Sequence, residues 1–328
     1  MSHHSLPTSL RQTIENLAQA ALKPHDLLAH AEKISASYRR ESPEQKQGQD
    51  LAIKNSDEGW AYVAARLPAT YAANHYVFSK IVEADEGYTP SSILDMGAGP
   101  GTSTLAGVHV FPSIKSVTLS EPNAPLRQIG KVIFDQAIST LAVDWHDYNL
   151  TAIERHKNIQ NHAVIVLSYV LNEAGVHQDC LNYLWQHCDD YMIVIEPGTP
   201  TGADVIQQVR NWAVNNHIHI LAPCPHANKC PMTEQTSQWC HFSVRAERSK
   251  LHKYLKGGEA GFEDEKFSYI ILSKHNKTQF KNRVLSRVTG QKIKELQICG
   301  QSGLETLKIA KSDGLYKTIK RLEWGDAF

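Results

Sequence analysis

The chain has 328 residues, 41% of them apolar, which is enough core for one full α/β domain with additions or for two domains. Its 34 basic and 34 acidic residues cancel, no apolar run reaches the ~18 residues of a membrane span, and residues 1–10 lack the basic start and apolar stretch of a signal peptide, so a soluble, cytoplasmic protein without a membrane partner is expected. The balance hides an asymmetry, because residues 1–240 carry 16 Lys and Arg against 24 Asp and Glu, whereas residues 241–328 carry 18 against 10.

Residues 8–86 show helical spacing, as in Leu10, Ile14, Leu17 and Ala21, and predict a helical cap over residues 1–86. Residues 42–49 are polar and predict a solvent-facing loop. The segment carrying Trp60, Tyr62, Val63, Arg66, Leu67, Pro68, Tyr71 and Tyr76 is either core packing or the wall of a cofactor mouth.

From residue 91 strands and helices alternate, the mark of a parallel doubly wound sheet, and the core domain is expected over residues 87–222. A short buried strand over 91–94 leads into Asp95-Met96-Gly97-Ala98-Gly99-Pro100-Gly101. There small residues let the backbone turn sharply and present N–H groups to a ligand, before a helix starts at Thr102. Such a turn alone is common in α/β proteins. A second strand over 116–119 ends in Ser120-Glu121-Pro122, which places a carboxylate roughly 20 residues beyond the glycines, where a βαβ unit meets ribose hydroxyls. The glycine order departs from the dinucleotide fingerprint G-x-G-x-x-G. A third strand over 141–143 would put Asp144 against an adenine amino group and Trp145 on its ring. The fourth, over 163–170, runs into Ser168-Tyr169-Val170-Leu171-Asn172-Glu173, and the fifth, over 192–195, ends in Glu196-Pro197-Gly198. Glu173 and Glu196 either position an acceptor or cap helices. A helix over 203–215 and a strand over 218–222 follow.

Cys180 and Cys188 fall in a helical pattern with Leu181, Leu184 and Trp185 and predict buried thiols. Cys224, Cys230 and Cys240 crowd a Pro-rich stretch with His226 and His241, and Cys299 lies in a strand-rich tail (267–272, 294–299 and 304–310). A loop offers thiols little apolar cover and a cytosol disfavours disulfides, so a metal site is expected, with unpaired structural thiols as the alternative. Four thiolates suit zinc or a [4Fe–4S] cluster, and the spacing matches neither the zinc ribbon nor the ferredoxin run. A third reading makes Cys224, in Pro223-Cys224, the nucleophile of a five-position pyrimidine methyltransferase. Residues 223–328 are thus read as a Cys-ligated loop and a basic strand-rich extension completing the fold. Arg245, Arg248, Lys250, Lys253 and Lys256, then Lys274, Lys277, Lys281, Arg283 and Arg287, suit phosphate contacts if they share a face, and are otherwise an ordinary solvated surface.

The 95–101 motif resembles the first motif of S-adenosylmethionine (SAM) methyltransferases. The resemblance implies that Asp95, Gly97, Ala98, Gly99 and Gly101 pass the methionine part of SAM and that Glu121 holds the ribose; Asp144 and Ser168, at the carboxyl ends of the third and fourth strands, are further candidate cofactor contacts. The expected fold is a doubly wound, Rossmann-like class I SAM methyltransferase sheet with an amino-terminal helical region and a Cys-rich, strand-rich carboxy-terminal extension.

A wider resemblance is carried by Arg66-Leu67-Pro68-Ala69-Thr70-Tyr71, the 94–102 loop, Ser168 to Glu173, Glu196-Pro197-Gly198-Thr199-Pro200, the Cys-Pro-His loop, Trp239-Cys240-His241-Phe242, Glu263-Asp264-Glu265-Lys266-Phe267-Ser268-Tyr269 and Trp324-Gly325-Asp326. From about residue 58 onward the chain is similar to the ribosomal small-subunit assembly family of methyltransferase-like proteins, known from mitochondria as Rsm twenty-two or methyltransferase-like protein seventeen. That resemblance implies binding to the small ribosomal subunit and its rRNA, and a [4Fe–4S] cluster, in place of zinc, on Cys224, Cys230, Cys240 and Cys299. The expectation is a monomeric SAM-binding assembly factor that methylates rRNA. The alternatives are a catalytically silent RNA-binding assembly chaperone with a vestigial SAM pocket, or a small-molecule methyltransferase. The Asn-Pro-Pro-Tyr motif that holds a base amine is replaced by Ser168-Tyr169-Val170-Leu171, so the acceptor atom is not legible.

Overall fold

The computed structural model describes residues 4–40, 53–138, 140–156, 159–235, 237–277 and 280–328; the loop expected over 42–49 lies outside them. The amino-terminal region is helical, as its spacing predicts. In α1 (Thr8–Ala21) Ile14 and Ala18 are buried, and in α2 (Pro24–Arg40) Leu27, Ala31 and Ile34 form one apolar stripe. Both pack on α3 (Ser56–Ala84), whose start is fixed by Asn55, the side-chain oxygen of which accepts the Glu58 N–H at 2.9 Å. This helix is apolar nearly all round, the pattern of a helix enclosed by protein, and it continues through Pro68.

The main sheet contains β1 (Ser92–Met96), β2 (Ser116–Ser120), β3 (Ala142–His146), β4 (His162–Ser168), β5 (Cys188–Pro197), β6 (His219–Ala222), β7 (Phe242–Glu247) and β8 (Phe262–Ser273), in the order β3-β2-β1-β4-β5-β8-β6 with β7 also paired to β8. Strands β1 to β5 are mutually parallel, and β8 is antiparallel to β5, β6 and β7. Between these strands run α4 (Thr102–Val110), α5 (Ala124–Ala137), the short α6 (Leu171–Ala174), α7 (Gln178–Gln186) and α8 (Pro200–Asn215). Alternate residues feed the two cores: Ile93, Val164, Val166 and Ile193 face α3, α4 and α5, whereas Leu94, Met96, Ile165 and Met192 face α7 and α8. A sheet covered on both faces explains why its central strands read as unbroken apolar runs. This is the doubly wound sheet that the sequence predicts. Strand order reverses between β1 and β4, which opens a crevice at their carboxyl ends.

Three sequence expectations change. Residues 267–272, read as part of an appended tail, lie inside the main sheet, where β8 from Phe267 to Ser273 is fully buried between β5 and β6. Cys188 opens β5 and is not helical, while Cys180 does lie in α7. Strand β3 runs on to His146, so Asp144 and Trp145 sit within it and not at its end. After α9 (Lys250–Lys256) and β8, the chain forms a second antiparallel sheet of β9 (Asn282–Val284), β10 (Ile293–Gly300) and β11 (Gly303–Ala310), turning at Gln301-Ser302. With α10 (Tyr316–Ile319), this sheet has a small core of Val284, Leu296, Ile298 and Ile319.

Candidate functional site

The crevice is a cavity of about 970 Å³ lined by the glycine loop, Glu121, the segment after β4 and the first turns of α8. The loop's left-handed turns require glycine: Gly97 has φ +71° and its missing side chain leaves room for Val170, while Gly99 has φ +55° and open space in front of it. The N–H groups of Gly97 and Ala98 donate to the Ser120 carbonyl at 2.8 and 3.0 Å, and that of Gly99 donates to Glu121 Oε2 at 2.7 Å. These donors therefore hold the loop to β2 and do not face a ligand, contrary to the sequence expectation.

Asp95 is fully buried at the end of β1, where Oδ2 accepts the Thr104 N–H (3.1 Å) and Oγ–H (2.8 Å) and fixes the first turn of α4. Its other oxygen has no partner, and burial raises its pKa to about 6 against those two hydrogen bonds. Glu121 accepts from Gly99 N–H on one oxygen and from Asn123 N–H on the other (2.7 Å each), and burial raises its pKa to about 7. Each of its oxygens keeps a second lone pair for a ligand hydroxyl. Ser168 lines the cavity with its hydroxyl buried and unpartnered. Asp95, Gly97, Ala98, Gly99, Glu121 and Ser168 thus line one cavity, with Gly101 behind them at the start of α4.

Asp144 is not brought there. Its carboxylate is exposed and bonds His146 Nε2 at 2.8 Å, and Trp145 packs on Phe134 of α5. Because β3 is longer than expected, the wall is supplied instead by Tyr148 and Leu150, with Tyr148 stacked between His146 and His156. Asn149, which caps the following turn by accepting the Thr151 N–H at 3.0 Å, was the sequence signal for that loop. Of the aromatic segment in α3, Tyr62 and Thr70 line the cavity while Trp60, Val63, Leu67, Tyr71 and Tyr76 are core. Glu196 caps α6, accepting the Leu171 N–H at 2.8 Å, and burial raises its pKa to about 8. Arg66 and Glu265, 199 residues apart, form an ion pair at 3.0 Å, to which Tyr169, at φ +60°, adds its hydroxyl at 3.2 Å.

The four remaining cysteines come from the loop after β6, the approach to β7, and β10. All six cysteines are free. Cys224, Cys230, Cys240 and Cys299 lie near enough to repel one another as thiolates; after burial, this holds the Cys240 thiol well above its usual value and Cys299 up at about 12. His226 Nε2 lies 3.7 Å from Cys299 Sγ, its Nδ1 is buried without a partner, and Arg210 donates to Cys224 Sγ at 3.4 Å. Among the described residues no three His, Cys, Asp or Glu side chains are arranged to hold a single metal ion. Cys224 is not among the residues lining the cavity, which removes the nucleophile reading. Burial raises Cys180 and Cys188 to about 12, as inert core thiols.

Arg245 and Arg287 meet at Asp264, but the basic residues do not all share one face. Arg245 pairs with Asp264 and Arg248 with Glu263 near the start of β8, whereas Lys274 and Lys277 sit beyond its other end, about 33 Å away for ten residues of strand. Arg283 is buried and cannot reach a phosphate.

A family model described as mitochondrial small ribosomal subunit Rsm22 matches residues 56–328. The Rsm22-cox11 tandem protein 2, mitochondrial, of Schizosaccharomyces pombe is 27% identical over 252 residues, covering 68% of this chain and 33% of that protein. The human mitochondrial ribosome assembly protein METTL17 is 22% identical over 231 residues, covering 65% and 48%. The matched region thus spans a third to a half of these relatives' lengths. Among solved structures, precorrin-6y C5,15-methyltransferase of Geobacter metallireducens GS-15 is similar at 11% identity and TM-score 0.41, covering 62% of this chain and 87% of that one.

Proposed function

The chain belongs to the Rsm22 family, and from that premise we propose that it is a small ribosomal subunit assembly factor that binds SAM and methylates rRNA. The observation that carries the reading is the convergence of Asp95, the glycine loop, Glu121 and the unpartnered Ser168 hydroxyl on one 970 Å³ cavity at the sheet's switch point. SAM supplies a methyl group already activated on its sulfonium. The chain's part is to hold and align: Glu121 accepts ribose hydroxyls, Asp95 keeps the loop on α4, and Ser168 and Tyr169 bound the side from which an acceptor enters. No general base is required of the protein. Isothermal titration with SAM tests this: micromolar binding by the wild type and loss by Asp95→Ala is expected, and equal binding by both contradicts it.

The cysteine set fits a [4Fe–4S] cluster held by Cys224, Cys230, Cys240 and Cys299. Four mutually close, partly buried thiols with no disulfide among them support it, as do two buried arginines beside them. Such a cluster would tie the loop after β6 to the small sheet as a structural knot. The exposed Lys250 and half-buried Lys253 of α9, with the exposed Lys311, Lys317, Lys320 and Arg321 around α10, are side chains that can meet RNA phosphates. One observation favours a catalytically silent assembly chaperone: where base-amine methyltransferases carry Asn-Pro-Pro-Tyr, this chain has Ser168-Tyr169-Val170-Leu171, with the Tyr169 hydroxyl committed to Glu265.

A further inference from the structure

Two buried cations stand in the wall of the cysteine set, and no carboxylate among the described residues pairs with either. Arg210 is 3% exposed and Arg283 2%. From α8, Arg210 donates through Nε to Cys224 Sγ at 3.4 Å and through Nη2 to the carbonyls of His226 (3.0 Å) and Asn228 (2.6 Å). Arg283 on β9 is the cross-strand partner of Cys299 on β10, so the two side chains leave the same face of the small sheet. Its Nε donates to the Pro223 carbonyl at 3.0 Å, next to Cys224, and its Nη1 to the Gly325 carbonyl at 2.6 Å. The two guanidinium groups therefore both hold the cysteine loop, one from α8 and one from β9. Elsewhere the chain pairs even partly exposed arginines with acids, as in Arg66 with Glu265 and Arg248 with Glu263. A buried guanidinium without a counter-charge is unfavourable, and carbonyl dipoles or neutral thiols offset only part of its lost hydration.

We infer that Arg210 and Arg283 are the counter-charges of a dianionic centre held by Cys224, Cys230, Cys240 and Cys299, and that they set its reduction potential. The inference rests on the cluster reading given above. Four thiolates around a [4Fe–4S]²⁺ core leave two negative charges, which two guanidinium groups neutralise. Adding one electron to give the 1+ core creates a third negative charge, which the same two cations stabilise in a low-dielectric setting. Removing one cation must therefore make reduction harder. A lysine keeps the charge and loses the forked hydrogen bonds, which separates the electrostatic role from the architectural one.

The test is anaerobic reconstitution of the full chain as wild type, Arg210→Gln, Arg283→Gln, Arg210→Lys and Arg283→Lys. Iron and acid-labile sulfide are assayed, and the midpoint potential is read by electron paramagnetic resonance during titration with dithionite as the electron donor. The Gln variants are expected at a lower potential by at least a tenfold shift in the one-electron equilibrium, which is 59 mV, with the Lys variants returned to the wild-type value. Gln variants with full iron at the wild-type potential overturn the inference, and so do Lys variants displaced as far as the Gln ones. If a Gln variant does not fold, its Lys counterpart decides: a folded, fully loaded Lys variant at the wild-type potential supports the charge role, and a displaced one overturns it. A wild type that takes up no iron overturns the cluster reading itself, and the inference with it.

Discussion

Burial favours the neutral forms of the carboxyls at the strand ends, and this has a measurable sign. Glu196 is raised from 4.5 to about 8, Glu121 to about 7 and Asp95 to about 6. In each case the folded state binds a proton more tightly than the unfolded chain, so the stability contributed is complete below pH ~4 and is lost as pH rises through these values. Glu196→Gln keeps an oxygen for the Leu171 N–H and removes the ionisation; it should flatten the fall in melting temperature between pH 4.5 and about 8. A slope equal to that of the wild type would show that Glu196 ionises freely. At Gly97, an alanine would adopt φ +71° and run into Val170. Gly97→Ala should therefore cost at least about 1–2 kcal/mol in denaturant melts and weaken SAM binding. The place of Asp95 beside the glycine turn was legible, because a buried strand runs directly into it. That of Asp144 was not: its assignment depended on where β3 stops, and the strand runs two residues past it to His146.

At the scale of elements, the strand and helix succession from residue 91 could be read from hydrophobic period and turn residues, and so could the 301–302 hairpin. What could not be read was the place of β8. Its second half carries the apolar run Tyr269-Ile270-Ile271-Leu272, which fits a central strand as well as a tail strand, and only pairing with β5 and β6 decides. The same pairing explains why Arg66 and Glu265 meet although 199 residues separate them. The cysteine set is likewise an assembly of three separated elements. Cys230→Ser should abolish iron uptake on reconstitution, whereas Cys180→Ser in α7 should retain it and lose only about 1–3 kcal/mol for a buried hydroxyl. Iron retained in full by Cys230→Ser would remove that residue from the ligand set.

For the whole molecule, the excess of positive charge beyond residue 240 includes arginines neutralised at the start of β8, two lysines at its far end, and lysines on α9 and around α10. If α9 meets RNA, Lys250→Glu with Lys253→Glu should weaken binding to small subunits for every RNA sequence tested. It should also reduce the slope of log affinity against log salt by roughly one for each phosphate that is no longer neutralised. An unchanged salt slope would move the RNA surface elsewhere, with the lysines around α10 next in line. The fold joins these parts through β8, which carries the Glu265 ligand of Arg66 near the cavity and borders the strand that leads into the cysteine loop. Under the proposed function, the cavity delivers a methyl group to RNA. The decisive measurement is transfer of tritium from methyl-labelled SAM into small ribosomal subunits from cells lacking this protein, using anaerobically purified wild type and Asp95→Ala. Label in the rRNA with the wild type and none with Asp95→Ala is the predicted result; no label from a wild type that binds both SAM and the subunit would contradict it.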